Sequence, residues 1–206
     1  MSNPIQTIAI SPDLRVRIFQ DEDAEGPAGW DTLGQITYKR GARECLGTEA
    51  IDADRFEDIG WLIRKGELIG LPVYGYVHSG ATISTTPFSC SWDSGRSGWV
   101  YCTADKAKAK AEFAGQAHWR KAALKCLQGE VETFAQFLAG EVYGYVVERT
   151  RVNADGDTLV EETLDSCWGF YGLEYAAAEG RAAATAELRL QPPDLDKSRA
   201  AGNVAH

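Results

Sequence analysis

The stretch VYGYVVERTRVNADGDTLVEETL, residues 142–164, decides the fold. VYGYVVER and TLVEETL are rich in β-branched and aromatic residues, and the NADGD between them carries an Asp155-Gly156 pair that favours a tight reversal. This predicts an antiparallel hairpin, with DSCWGFYG (165–172) ending the sheet region. Toward the N-terminus, TIAI (7–10) and LRVRIF (14–19) flank Ser11-Pro12-Asp13 and predict a second hairpin. Toward the C-terminus, LEYAAAEGRAAATAEL (173–188) is helical by propensity despite Gly180.

Between the hairpins the period changes. GQITYKR (34–40) alternates as a strand, whereas Phe56, Ile59, Leu62 and Ile63 recur at helical spacing, with Asp52 placed to cap and Gly66 to stop the helix. GLPVYGYVH (70–78) reads as a buried strand behind a proline edge and GWVYCT (98–103) as another. The segment HSGATISTTPFSCSWDSG (78–95) is then the connection between them. Thr103 is placed to cap a Lys- and Ala-rich helix, and a longer helix follows with Trp119, Ala123, Cys126 or Leu127, Val131, Phe134 and Phe137 or Leu138 on one stripe. Strands grouped around a block of helices, with hairpin turn chemistry, imply an α+β fold. The expectation is one domain over 1–190, a mainly antiparallel sheet with helices packed on it, and a disordered tail over 191–206.

A chain of 206 residues, 44% hydrophobic and 25% charged, has ordinary globular usage. No apolar run is long enough to span a bilayer, and the N-terminus lacks a basic and apolar leader, so a cytoplasmic location is expected. Five widely spaced cysteines with no C-x-x-C pair point to reduced thiols rather than a zinc site. A net charge of −9 disfavours direct nucleic-acid binding, which rests on Lys and Arg displacing counterions. The charge is uneven: residues 105–125 hold six basic and two acidic side chains.

The chain lacks the phosphate-loop, dinucleotide, esterase-elbow and zincin motifs, and no cofactor is expected. Within 78–95, Cys90, His78 and Asp93 are the types a thiol nucleophile needs: a sulfur, a base and a group to orient the base. The competing reading is a tightly turned structural connection. Asp21, Asp23 and Asp31 offer hard oxygen ligands without calcium-loop spacing, and read first as a solvated acidic loop. Core packing is the first reading of the aromatic residues near turns and strand ends. Trp30, Asp31, Trp92, Asp93, Trp168 and Phe170 are the candidates for a binding surface. Glu130, Glu132 and Glu141 read as surface carboxylates.

Four ordered segments carry a family resemblance: QDEDAEGPAGWDTLG (20–34), with its P-x-x-W-D-x-L-G core, HSGATISTTPFSCSWDSG, GEVETFAQFLAGEVYGY and DSCWGFYG. Together they resemble a family of small proteins of phages, plasmids and conjugative elements. The chain departs from the family's usual form at Ala28-Gly29, where relatives tend to carry Arg-Glu, and at Val77, where an Asp commonly stands. The resemblance implies a mobile-element origin and transfers no catalytic residue. With the missing catalytic motifs, the expected function is a non-enzymatic accessory protein. It would bind a host protein such as a defence effector or nuclease of a CRISPR or restriction system, with acidic DNA mimicry the weaker half of that expectation. The alternatives are a hydrolase or modifying enzyme using Cys90 and His78 or a carboxylate metal site, and a regulatory binding module without a defence role.

Overall fold

A computed structural model describes residues 3–42, 46–78, 80–90, 92–110, 113 and 115–190. The expected tail at 191–206 lies outside the described residues, as does Cys45. The class is α+β, with mostly antiparallel pairing, and the strands are divided between two sheets. The chain's contacts gather into two compact units: one takes both ends, up to Ala24 and from Val142, and the other is Glu25–Glu141.

The first unit is built on the two predicted hairpins. Strands β1 (Gln6–Ser11) and β2 (Leu14–Gln20) pair antiparallel around the Pro12-Asp13 turn, where the Ser11 hydroxyl donates to the Asp13 carboxylate at 2.6 Å. Strands β8 (Val142–Val152) and β9 (Thr158–Tyr171) form the longer hairpin. At its tip the Asn153 side-chain oxygen accepts from the Asp155 and Asp157 amides, at 3.0 and 2.7 Å, so the turn closes on its own asparagine. β2 joins β8, giving a sheet in the order β1-β2-β8-β9.

Alternation then decides what each face of that sheet holds. Leu14, Val16, Ile18, Tyr145 and Val147 form a core with Ala176, Ala177 and Ala184 of helix α4 (Leu173–Leu190). Gly180 explains its own place in that helix: a Cβ there would stand 2.7 Å from Val16 Cγ1, so the helix closes on the sheet only without one. Glu148, only 2% exposed, accepts from Arg15 Nε at 2.9 Å and from Arg17 Nη2. Two cations share that buried carboxylate, the pairing a buried charge requires.

The second unit has a five-stranded sheet in the order β4-β3-β7-β5-β6. The strands are β3 (Gln35–Lys39), β4 (Glu49–Ile51), β5 (Leu68–Val77), β6 (Ala81–Ser84) and β7 (Ser94–Thr103). Pro72 sits where β5 pairs with β7 but β6 has not begun, so the proline stands on a locally free edge, as expected. The segment 78–95 is more than a connection. Its ATIS forms edge strand β6, and β7 starts four residues before GWVYCT, at Ser94. β4 pairs parallel to β3, an arrangement that no turn signal announces.

Helices cover both faces of this sheet. Helix α1 (Ala53–Lys65) is capped as predicted: Asp52 accepts from the Arg55 amide at 2.8 Å, and Gly66 closes the end at φ 77°. Its Phe56 and Ile59 meet Trp99, whose indole N–H donates to the Phe56 carbonyl at 2.9 Å. The next residue, Val100, points the other way, into a core with Leu127, Val131 and Phe134 of α3 (Trp119–Leu138). Short helix α2 (Ala104–Ala109) begins at Thr103, whose hydroxyl accepts from the Lys106 amide at 3.2 Å. Among the described residues no helix is long and apolar enough to cross a membrane.

Candidate functional site

Backbone pairing brings together the three residues proposed for thiol chemistry. β5 ends at Val77 and β7 begins at Ser94, and the Val77 amide donates to the Asp93 carbonyl at 3.1 Å. His78 and Asp93 therefore leave the same end of two neighbouring strands, with Cys90 returning just before the second. The Asp93 Oδ2 atom lies 3.3 Å from His78 Nδ1 and accepts from the Cys90 thiol at 3.8 Å. The Ser94 hydroxyl donates to the Cys90 carbonyl and fixes the turn.

The order of contacts decides what this trio can do. Activation of a thiol requires the base on the sulfur and the acid behind the base. Here the carboxylate stands between the other two and meets both through one oxygen. The sulfur thus faces an anion rather than an imidazole, and the arrangement braces a loop. That loop carries Trp92, which is 88% exposed.

The other candidate binding residues divide by environment. Trp30 and Trp168 are 43% and 48% exposed, against the first reading of core packing, whereas Trp99 is buried as that reading expects. Trp168 lies over Gly144, where a Cβ would stand 2.2 Å from the indole, and packs beside Phe19. Phe170 stacks on Tyr145 and meets the edge of Tyr175, so it belongs to the α4 core. Burial raises the Tyr145 hydroxyl to about 12, helped by its hydrogen bond to Asp165 at 3.0 Å. Asp23 and Asp31 are exposed and Asp21 is half-buried; among the described residues no three His, Cys, Asp or Glu side chains are grouped to hold a metal ion.

The P-x-x-W-D-x-L-G segment lies on the second unit and is built into it by a residue that sequence reasoning placed on the surface. A short 3-10 turn at Pro27–Gly29 leads to Trp30, and the chain then doubles toward β3. Glu130 of α3 reaches this loop, its Oε1 accepting from the Leu33 amide at 2.6 Å and its Oε2 from the Gly34 amide at 2.8 Å. The Leu33 side chain is fully buried beside α3. A Cβ on Gly34 would lie 2.3 Å from Leu127 Cδ2 and 2.9 Å from Glu130 Oε2, so this close approach needs glycine. The Lys106 ammonium donates to the Thr32 carbonyl at 2.8 Å.

A cavity of about 560 Å³ opens beside this clamp, lined by Trp30, Thr32, Gln35, Lys106, Glu130 and Thr133 among others. Its size is that of a small-molecule pocket. The Cys126 thiol, also in the lining, donates to Glu130 Oε1 at 3.8 Å. Cys102 is buried, and desolvation, reinforced by the Glu130 charge, pushes its thiol up to about 11.

No model of a known protein family matches the chain, and neither a curated protein nor a solved structure is similar to it.

Proposed function

We propose that the chain is a non-enzymatic accessory protein of a phage or mobile element that binds a host protein and blunts a defence system of the CRISPR or restriction type. The mobile-element origin rests on the motif resemblance. Binding rests on one structural observation: Trp92 stands 88% exposed on a loop held by the His78, Cys90 and Asp93 contacts. A partner that buries an indole removes a large apolar area from water while its N–H finds a new acceptor, which is why tryptophan is enriched among binding hot spots. The surrounding contacts hold the turn that carries Trp92, which limits the backbone entropy lost on association. A net charge of −9 favours a basic partner surface at long range.

The test is retention of defence nucleases and effector subunits on the immobilised protein, with plaquing of a restricted phage on cells that express it. Wild-type protein should retain such a subunit and raise plaquing, and Trp92→Ala should lose at least about tenfold in affinity, the loss of a hot-spot side chain. No retention together with unchanged plaquing overturns the proposal. Wild-type behaviour of Trp92→Ala, with Cys90→Ala or His78→Ala abolishing the effect in its place, would restore the enzymatic alternative.

A further inference from the structure

The sheet of the first unit has a second face, opposite the one that packs on α4. Directly paired residues put their side chains on one side of a sheet, so the register sets Arg17, Val146 and Ser166 in one row across β2, β8 and β9. Phe19 and Gly144 form the next row on that side. Val16, Ile18, Tyr145 and Val147 alternate with them and meet α4. A groove of about 450 Å³ lies on the second face, lined by Arg17, Phe19, Val146, Glu148, Val160 and Trp168 among others, all of them residues of the first unit. Its walls are mainly apolar.

The charge at the groove does not balance. Glu148 Oε2 accepts from Arg15 Nε and Oε1 from Arg17 Nη2, so two guanidiniums share one carboxylate and the cluster keeps a net positive charge. Both oxygens of Glu148 already carry a cation, which offsets its repulsion of a second anion. Arg17 has donors to spare: a guanidinium carries more N–H groups than one carboxylate oxygen can take, and its Nε is buried without a hydrogen bond, an uncommon state for a buried donor. The other charges of β8 and β9 pair among themselves, Arg149 with Glu162 at 2.9 Å and Arg151 with Glu161 at 3.2 Å, while Asp165 accepts from Tyr145 on the α4 side. The chain's net charge of −9 acts from farther off, where physiological salt screens it over about 8 Å. A neutral apolar guest would leave the Arg17 donors unanswered, and a small inorganic anion would leave the apolar walls in water. What fits is one negative charge on an apolar body.

We propose that this groove binds a small monocarboxylate with an apolar body, its carboxylate on Arg17 and its body along Val146, Val160 and Trp168. Carboxylate is the head group that a guanidinium edge holds with paired hydrogen bonds. The site uses no residue of the loop that carries Trp92.

The experiment is a nitrogen-15 NMR titration of the full chain with octanoate and with hydrocinnamate, each beside its amide, and with acetate and inorganic phosphate. At least one of the two acids should shift the Trp168 indole and the Val146 and Ser166 amide signals saturably, with an affinity of about 1 mM or tighter. The amide of a bound acid keeps the body and loses the charge, and should bind at least about tenfold more weakly. Acetate and phosphate, which lack the body, should give no saturable shift up to about 10 mM. Val160 is 45% exposed, so polar replacements there spare the core. Val160→Asp should bind at least about threefold more weakly than Val160→Asn, which has the same shape without the charge. Arg17→Met should abolish binding; if it does not fold, the amides and the Val160 pair decide. The proposal is overturned if neither acid gives a saturable shift up to about 10 mM, or if the amide binds as tightly as its acid. Equal binding by Val160→Asp and Val160→Asn overturns it too, and so does acetate or phosphate binding as tightly as the acids, which would mean an adventitious ion only. A dimer of the free chain in sedimentation that Trp168→Ala dissociates would put a second copy on this face and likewise refute it.

Discussion

Replacing Glu130 with alanine tests whether one carboxylate builds the Trp30 loop into the second unit. The side chain accepts two backbone hydrogen bonds, at 2.6 and 2.8 Å, from residues almost a hundred positions away in sequence. A hydrogen bond to a charged group contributes about 1.5–3 kcal/mol net. The cavity lets water reach the freed amides and offset part of the loss, so the expected destabilisation is about 2–4 kcal/mol rather than the full value of two bonds. For a chain of this size that lowers the melting temperature by about 5–15 °C. Glu130→Gln should recover little, because its single carbonyl serves one amide while its NH2 meets the other donor to donor. The control is Glu132→Ala, two residues along the same helix. Glu132 accepts only from the exposed Gln128 side chain at 2.9 Å, and its loss should cost no more than about 0.5 kcal/mol. Urea unfolding followed by circular dichroism reads both variants, with the effect expected in the transition of the unit Glu25–Glu141. If Glu130→Ala falls within about 0.5 kcal/mol of Glu132→Ala, the clamp holds nothing and the reasoning is wrong.

Two further outcomes follow from burial. Native protein treated with iodoacetamide near pH 8 should be alkylated at exposed Cys167 and spared at Cys102, whose thiol is buried and raised to about 11; peptide mapping showing equal labelling would refute that placement. Tyr145 is raised to about 12 in the folded chain, above its unfolded value of about 10. The folded state thus holds this proton more tightly. The associated stability is complete below pH 10 and drains away as pH rises from about 10 to about 12, so the loss of stability across that range should be shallower in Tyr145→Phe than in wild type.

How much of this was legible in the sequence depends on how local each determinant is. Asp52 and Thr103 cap helices through amides three residues away, and the Asn153 turn closes within five residues, so short windows contain everything that decides them. Edge strand β6 escaped because its four residues sit among serines and threonines that equally favour a turn, and pairing with β5 settles the matter. β4 escaped because its register comes from a parallel neighbour rather than a hairpin. Glu130 was read as a surface carboxylate for a related reason. Its helix position allows either role, and only the loop at Leu33 and Gly34, brought in by tertiary folding, supplies the two amides.

The candidate site was legible in the sequence as letters and not as relations. Cys90, His78 and Asp93 do converge, which the sequence left open, yet the acid occupies the middle position that a nucleophilic site gives to its base. The P-x-x-W-D-x-L-G segment separates in the same way. Leu33 fills the core and Gly34 admits Leu127 and Glu130, which accounts for the L-G by packing. Trp30 and Asp31 of the same segment remain at the surface, and so does Trp92 beside the braced Asp93. In both segments polar contacts fix a turn beside an indole, which is 43% exposed at Trp30 and 88% exposed at Trp92. Since folding recovers little from an indole left 88% exposed, Trp92, more than the reactive types beside it, is where substitution should change function with the smallest change in stability.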